Sequence, residues 1–174
     1  MAKLKPIIII VDDDPLQREL LHDHLSKMSG YQILTFSTGE ECIAAGKVRK
    51  PTIVFLDYNL NSQVKDAMDG LDVLKEIKTS YPDTDVVMIS GQDKIEVAVN
   101  SIKHGAFDYI VKGEGAFYRA EKTVFNIYRY NKMKGDATHY KKLTLWMGLG
   151  IITMVVIVVV LQQMGMIRTS PGWY

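Results

Sequence analysis

Five short apolar runs, each followed by a segment of helical periodicity, constrain this chain more than any other feature. "IIIIV" (Ile7–Val11), "YQILTF" (Tyr31–Phe36), "TIVFL" (Thr52–Leu56), "DVVMIS" (Asp85–Ser90) and "FDYIV" (Phe107–Val111) read as strands. The first is apolar at every position rather than at every other one, the pattern of a strand covered on both faces in a parallel sheet. Helical spacing follows in Leu16, Leu20, Leu21, Leu25 and Met28, and "TGEECIAAGK" reads as a short helix. It returns in Leu71, Leu74 and Ile77, in Ile95, Ala98, Val99 and Ile102, and in Phe117, Ala120, Val124 and Ile127. Five βα units in residues 1–130 predict a parallel sheet with helices on both sides and right-handed crossovers.

Open sheets of this kind bind ligands beyond the carboxyl ends of their strands. The first strand runs into Asp12, Asp13 and Asp14, the third into Asp57, the fourth ends at Ser90, and Lys112 follows the fifth. A parallel sheet gathers all of these on one edge. Two carboxylates about 4 Å apart repel by roughly 4 kcal/mol at an effective dielectric near 20, so their meeting calls for a cation. Oxygen ligands without histidine or cysteine favour Mg2+. Lys112 adds a positive charge and Ser90 a hydroxyl, which together suit a phosphoryl group. Asp14 reads instead as a solvated acid or helix cap. His22, His24, His104 and His139 have no metal-like arrangement, and Cys42, the only cysteine, reads as a small core residue. The net charge of +1 gives no sign of a nucleic-acid partner.

With these marks in place, the chain resembles a response-regulator receiver domain over roughly Lys5 to Tyr130. The resemblance rests on "VDDD", "VFLDYNL", "MIS" and "DYIVKG", each at the expected strand end and in the expected order. It implies a flavodoxin-like (βα)5 doubly wound parallel sheet with strand order 2-1-3-4-5. It also implies that Asp57 is the phosphoacceptor, attacking a phosphohistidine of a histidine kinase or phosphotransfer protein. Asp13 and Asp57 would ligate Mg2+ directly, Asp12 through water, and the main-chain carbonyl of Asn59 would complete the protein ligands. Lys112 would pair with phosphoryl oxygens. Ser90 would turn towards the phosphoryl group and leave space for Tyr109 to swing in behind it. Output would be a population shift on the face made by helix four, strand five and helix five, read by a partner protein.

Two features depart from the family pattern. Gly113 stands after Lys112 where a proline is usual, and "NSQVKDA" (Asn61–Ala67) lengthens the loop after Asp57. Such insertions cost little entropy.

The remainder of the chain has a different character. Residues 143–167 form an uncharged stretch of 25, about 37 Å as a helix and enough to cross a bilayer core of roughly 30 Å. Arg129, Lys132, Lys134, Lys141 and Lys142 precede it and Arg168 follows, which places the N-terminal part in the cytoplasm. The expected organisation is a receiver domain (1–130), a basic juxtamembrane linker (131–142), a transmembrane helix (143–167) and a short non-cytoplasmic tail (168–174). The location would be the inner (plasma) membrane, with a single pass and no output domain in the chain.

Two other readings compete. A phosphorylation-independent, receiver-like membrane adaptor draws support from Gly113. A haloacid-dehalogenase-type phosphatase would use Asp12 as nucleophile and Asp14 as acid/base, but it leaves Asp57 without a role.

Overall fold

The computed structural model describes residues 5–60 and 68–164. The loop Asn61–Ala67, the end of the expected membrane span (165–167) and the tail 168–174 lie outside the described residues. The chain divides into two compact units, Met1–Ile127 and Tyr128–Tyr174.

The first unit holds β1 (Ile7–Val11), α1 (Pro15–Ser26), β2 (Gln32–Phe36), α2 (Gly39–Val48), β3 (Ile53–Asp57), α3 (Gly70–Ser80), β4 (Asp85–Ser90), α4 (Ile95–Lys103), β5 (Asp108–Val111) and the start of α5 (Ala116–Gln163). All strand pairings are parallel, and the order is β2-β1-β3-β4-β5, as expected for a flavodoxin-like sheet. Every residue of β1 and β3 is buried, whereas the edge strand β2 exposes Gln32 and Thr35. The strand period of two sends alternate residues to opposite faces. Ile7, Ile9 and Val11 therefore join Leu56, Val73, Leu74 and Ile77 in one core. Ile8 and Ile10 join Phe55, Leu21, Leu25, Ala120 and Val124 in the other. Each fully buried aliphatic side chain contributes about 1.5–3 kcal/mol, so the two cores together hold the site-bearing edge rigid.

Helix starts are set by side-chain caps at the same edge. Asp14 accepts hydrogen bonds from the N–H groups of Leu16 (2.8 Å) and Gln17 (3.4 Å), which makes it the cap of α1. Pro15 occupies the first turn, where its missing N–H costs nothing. Thr38 and Asp69 cap α2 and α3 in the same way. Lys94 precedes α4 without a side-chain cap.

α4 has an unusual orientation. Three of the four apolar residues that mark it in the sequence face outward: Ile95 is 75% exposed, Val99 45% and Ile102 47%. Ser101 is buried in their stead, its hydroxyl donating to the Val97 carbonyl at 2.9 Å.

In the second unit, residues 131–142 are helical throughout, so the segment expected as a linker is part of α5. No proline interrupts it, and most of its residue types tolerate helix well. Lys134 lies over the Tyr130 ring, 4.6 Å from its centroid. Trp146–Gln163 is long and apolar enough to cross a membrane by length and composition, and none of that stretch is buried.

Candidate functional site

The carboxyl ends of β1 and β3 bring Asp12, Asp13 and Asp57 together, with one oxygen of each within 4.8 Å of the others. These two strands are hydrogen-bonded neighbours, so acids 45 positions apart in the chain (57 − 12) share one pocket. At that spacing each pair of charges repels by about 3–4 kcal/mol at an effective dielectric near 20.

Lys112, just past β5, meets part of this charge. Its Nζ donates to Asp12 Oδ2 at 2.8 Å and lies 3.2 Å from Asp57 Oδ1. The second approach is out of line for a hydrogen bond. Asp57 Oδ1 is thus buried without a hydrogen-bond partner among the described residues, although Asp57 is only 4% exposed. Burial pushes the Asp57 carboxyl above its ordinary value, Lys112 pulls it down, Asp12 pushes it up again, and the Asn59 N–H lowers it in part. Burial pulls the Lys112 ammonium down, but the carboxylates of Asp12 and Asp57 outweigh it and hold the group above its ordinary value.

Asp12 is held from three directions. Its Oδ1 accepts from the Asp14 N–H at 3.0 Å, its Oδ2 takes Lys112, and its main-chain carbonyl takes the Arg18 guanidinium. The contribution of Arg18 has no signature in the sequence, because an arginine one turn into a helix is ordinary. A pocket of about 190 Å³ opens beside Asp12 and Lys112, lined also by Leu20, Gly113 and Phe117. Gly113 has φ 157°, and the described residues contain no cis peptide bond.

Ser90 and Tyr109 meet on the other side of the pocket through Gln92, which the sequence did not single out. Ser90 is fully buried, and its Oγ accepts from the Gln92 N–H at 3.1 Å. Tyr109 is already turned inward at 9% exposure, its hydroxyl donating to the Gln92 carbonyl at 2.8 Å. The Gln92 side chain reaches across to Asn59 Oδ1 at 3.3 Å. Burial pushes the Tyr109 hydroxyl up.

The charge balance bears on a metal. Lys112 lies within ion-pair distance of two of the three clustered carboxylates, those of Asp12 and Asp57, and the buried Asp57 Oδ1 has no hydrogen bond among the described residues. An all-oxygen acidic pocket of this kind fits a hard divalent cation.

A stability prediction follows from the raised Asp57 carboxyl. The native state holds this proton more tightly than the unfolded chain does, so the charged group costs stability as pH rises above the ordinary carboxylate value of about 4. Asp57→Asn removes that cost. In chelator, the variant is expected to exceed the parent by about 1 kcal/mol at neutral pH, with the gap closing towards pH 4. Urea melts at both pH values check it; a gap that widens on acidification contradicts the assignment.

Residues 8–116 match the family described as "Response regulator receiver domain". The chain is 39% identical over 109 residues to the nitrogen assimilation regulatory protein NtrX of Azorhizobium caulinodans, covering 60% of this chain and 22% of that protein. It is 33% identical over 106 residues to the chemotaxis protein CheY of Thermotoga maritima, covering 60% of this chain and 83% of that protein. The solved receiver domain of NtrX from Brucella abortus superposes with a TM-score of 0.62 at 38% identity, covering 69% of this chain and 96% of that one. The chain spans 22% of the length of Azorhizobium NtrX and 27% of that of the regulatory protein LuxO of Vibrio vulnificus. The family match displaces the phosphatase reading, and in the structure Asp57 joins the acidic cluster rather than standing idle. Over these residues the chain belongs to the response regulator receiver domain family.

Proposed function

We propose that this chain is a membrane-anchored receiver that accepts a phosphoryl group on Asp57 from a phosphohistidine donor and signals to a separate protein. Receiver domains are signalling domains rather than classical enzymes, and they accept phosphoryl groups from histidine kinases. The observation that carries the reading here is the buried Asp57 Oδ1, without a hydrogen bond among the described residues and set among Asp12, Asp13 and Lys112.

In this reading an Asp57 oxygen attacks phosphorus in line. The P–O bond forms as the P–N bond of the phosphohistidine breaks, and the electron pair of the broken bond returns to the imidazole. Asp12, Asp13, Asp57 and the Asn59 carbonyl are the groups that would hold Mg2+, which when bound supplies positive charge for the phosphoryl oxygens. Lys112 neutralises a further oxygen. Ser90 turns its hydroxyl from the Gln92 N–H to the phosphoryl group. Because Tyr109 rests on the Gln92 carbonyl, the tyrosine and the β4–α4 loop move together, and the change emerges on the α4–β5–α5 face.

In this reading the apolar stretch Trp146–Gln163 serves as the anchor, and the basic residues before it support a cytoplasmic side for the receiver. Removing residues 143–174 is expected to shift the chain from the membrane pellet to the supernatant after carbonate washing. Retention in the pellet would argue against the anchor.

The test of the phosphoacceptor is mapping. After incubation with Mg2+ and a small phosphodonor, borohydride reduction of the acyl phosphate should mark residue 57. Marking at Asp12 would return the phosphatase reading, and no marking would favour the phosphorylation-independent adaptor.

A further inference from the structure

The phosphoryl site takes up the carboxyl edge of the sheet and leaves the amino edge without a role. In a parallel sheet each crossover helix runs back to that amino edge, so the last turns of α1, α2 and α4 arrive there together. Side-chain bonds tie the pieces into one surface. Arg49 donates to the Gln32 side chain at 2.9 Å and to the Lys5 carbonyl. Lys50 pairs with Asp83 at 2.8 Å, and the Thr84 hydroxyl donates to the Pro51 carbonyl at 2.8 Å. Lys78 donates to the carbonyls of Pro82 and Thr84, and its stem lies beside Gly105, just past α4.

This edge is basic, and it carries a prominent apolar group. Lys5, Lys27, Lys47, Lys50 and Lys103 are exposed on it and Arg49 is half-buried, against the acids Asp23, Asp83 and Asp85. Lysines at helix ends suit the helix dipole, which is reason enough for Lys27, Lys47 and Lys103. The dipole does not account for Lys5, Arg49 and Lys50, which stand outside the helices, nor for Val48. Set between Lys47 and Arg49, Val48 is 90% exposed, more than any other large apolar side chain among the described residues. An apolar tip flanked by cations suits an anionic lipid surface, where apolar burial and charge attraction add. α5 leaves the first unit at this same edge: Ile127 shares a core with Tyr31 and Phe107, which precede β2 and β5. Trp146 stands 19 positions further on (146 − 127), at most about 28 Å as a helix, so a connection that leans or bends brings the edge against the headgroups.

We propose that this amino edge docks on the anionic headgroups of the bilayer, with Val48 entering the interface among Lys47, Arg49 and Lys50. The docking rests on the membrane-anchored reading above, because the anchor brings the edge within reach. It turns the opposite edge, with Asp12, Asp13, Asp57 and Lys112, away from the lipid and towards a phosphodonor in the cytoplasm. Most of the attraction is between exposed charges, so salt weakens it: the screening length falls from about 8 Å at physiological ionic strength to about 3 Å at 1 M.

Cys42 makes the test simple. It is buried, and its thiol is pushed up to about 12 by burial, so it does not compete for a thiol reagent. The full chain carrying Val48→Cys is labelled with a maleimide fluorophore and reconstituted in vesicles of phosphatidylcholine, alone or mixed with phosphatidylglycerol. Ile95→Cys, 75% exposed at the start of α4 on the opposite edge, is labelled as the control. With a headgroup spin-labelled lipid as quencher, position 48 is expected to be quenched about threefold more than position 95 when phosphatidylglycerol is present. The excess should vanish in phosphatidylcholine alone and at about 1 M salt. In the Val48→Cys background, Lys27→Glu with Lys103→Glu should lower it, whereas Lys27→Arg with Lys103→Arg should keep it. Equal quenching at the two positions in anionic vesicles, or an excess indifferent to lipid charge and salt, would overturn the docking. Retention in the vesicles after carbonate washing is read on the same samples: its loss counts against the anchor, and retention without the excess overturns the docking alone.

Discussion

Asp57→Ala is expected to abolish Mg2+-dependent labelling by a small phosphodonor, a loss of at least about a hundredfold. The expectation follows from what the pocket offers in its place. Asp12 Oδ2 is committed to Lys112 at 2.8 Å and its Oδ1 to the Asp14 N–H at 3.0 Å, so Asp12 is poorly placed to substitute as nucleophile. Among the described residues, Asp57 alone pairs deep burial with a side-chain oxygen that has no hydrogen bond. Lys112→Ala should act differently. It leaves the attacking oxygen in place but removes the cation that balances the phosphoryl oxygens, so labelling should fall by about 10²–10³ in rate without moving to another residue. Rates measured over a range of phosphodonor concentrations separate the two cases. Undiminished labelling in Asp57→Ala would remove the phosphoacceptor assignment altogether.

The second large effect comes from a residue with no chemistry of its own. A Cβ added at Gly70 would lie 2.2 Å from the Asp57 carbonyl oxygen, 2.7 Å from Tyr58 Cα and 2.8 Å from the Tyr58 carbonyl oxygen. All three are main-chain atoms, so no side chain can rotate away. Gly70 N–H also donates to the Tyr58 carbonyl at 3.1 Å, which ties the start of α3 directly to the end of β3. Gly70→Ala must therefore push apart the strand end that carries Asp57 and the helix that follows it. Overpacking of this kind costs about 1–3 kcal/mol, roughly 4–20 °C in melting temperature for a domain of this size. A displacement of Asp57 near 1 Å would cost up to about a hundredfold in labelling rate. Gly30→Ala, where an added Cβ meets nothing within 4 Å, is the matched control. If the two alanine variants melt and label alike, the close approach at Gly70 has no consequence.

The parts legible in the sequence are those where burial acts on every residue of a segment. β1, β3 and β4 could be read because central parallel strands are apolar on both faces, and the acids at their ends stood out against that background. Asp14 was readable as a solvated acid or helix cap rather than a ligand, and the structure makes it the cap of α1. Strand limits were less exact, in central and edge strands alike: β2 starts at Gln32 rather than Tyr31, β3 spans Ile53–Asp57 rather than Thr52–Leu56, and β5 starts at Asp108 rather than Phe107. α4 shows a deeper limit. Periodicity reveals that a helix has an apolar side, but the same pattern results whether that side meets the core or another molecule, and here Ile95, Val99 and Ile102 face out. The roles of Gln92 and Arg18 were invisible because Ser90 and Tyr109 meet the Gln92 main chain and the Arg18 guanidinium meets the Asp12 main-chain carbonyl, groups that carry no sequence signature. Residues 131–142 read as a linker from their charge, yet charged residue types such as lysine do not oppose helix formation, and the segment is part of α5.

The uniform make-up of β1 has a consequence for how the chain finds its alignment during folding. Four successive isoleucines look alike to both layers of the interior, so sliding this strand by one position would exchange the two sets with almost no loss of oily contact. What forbids the slide is its ends: one direction drags a carboxylate into the dry interior at a cost of several kcal/mol, and the other draws Pro6, which lacks an N–H, into the ladder. The acids at the end of β1 are also the stop that tells an otherwise featureless strand where to halt.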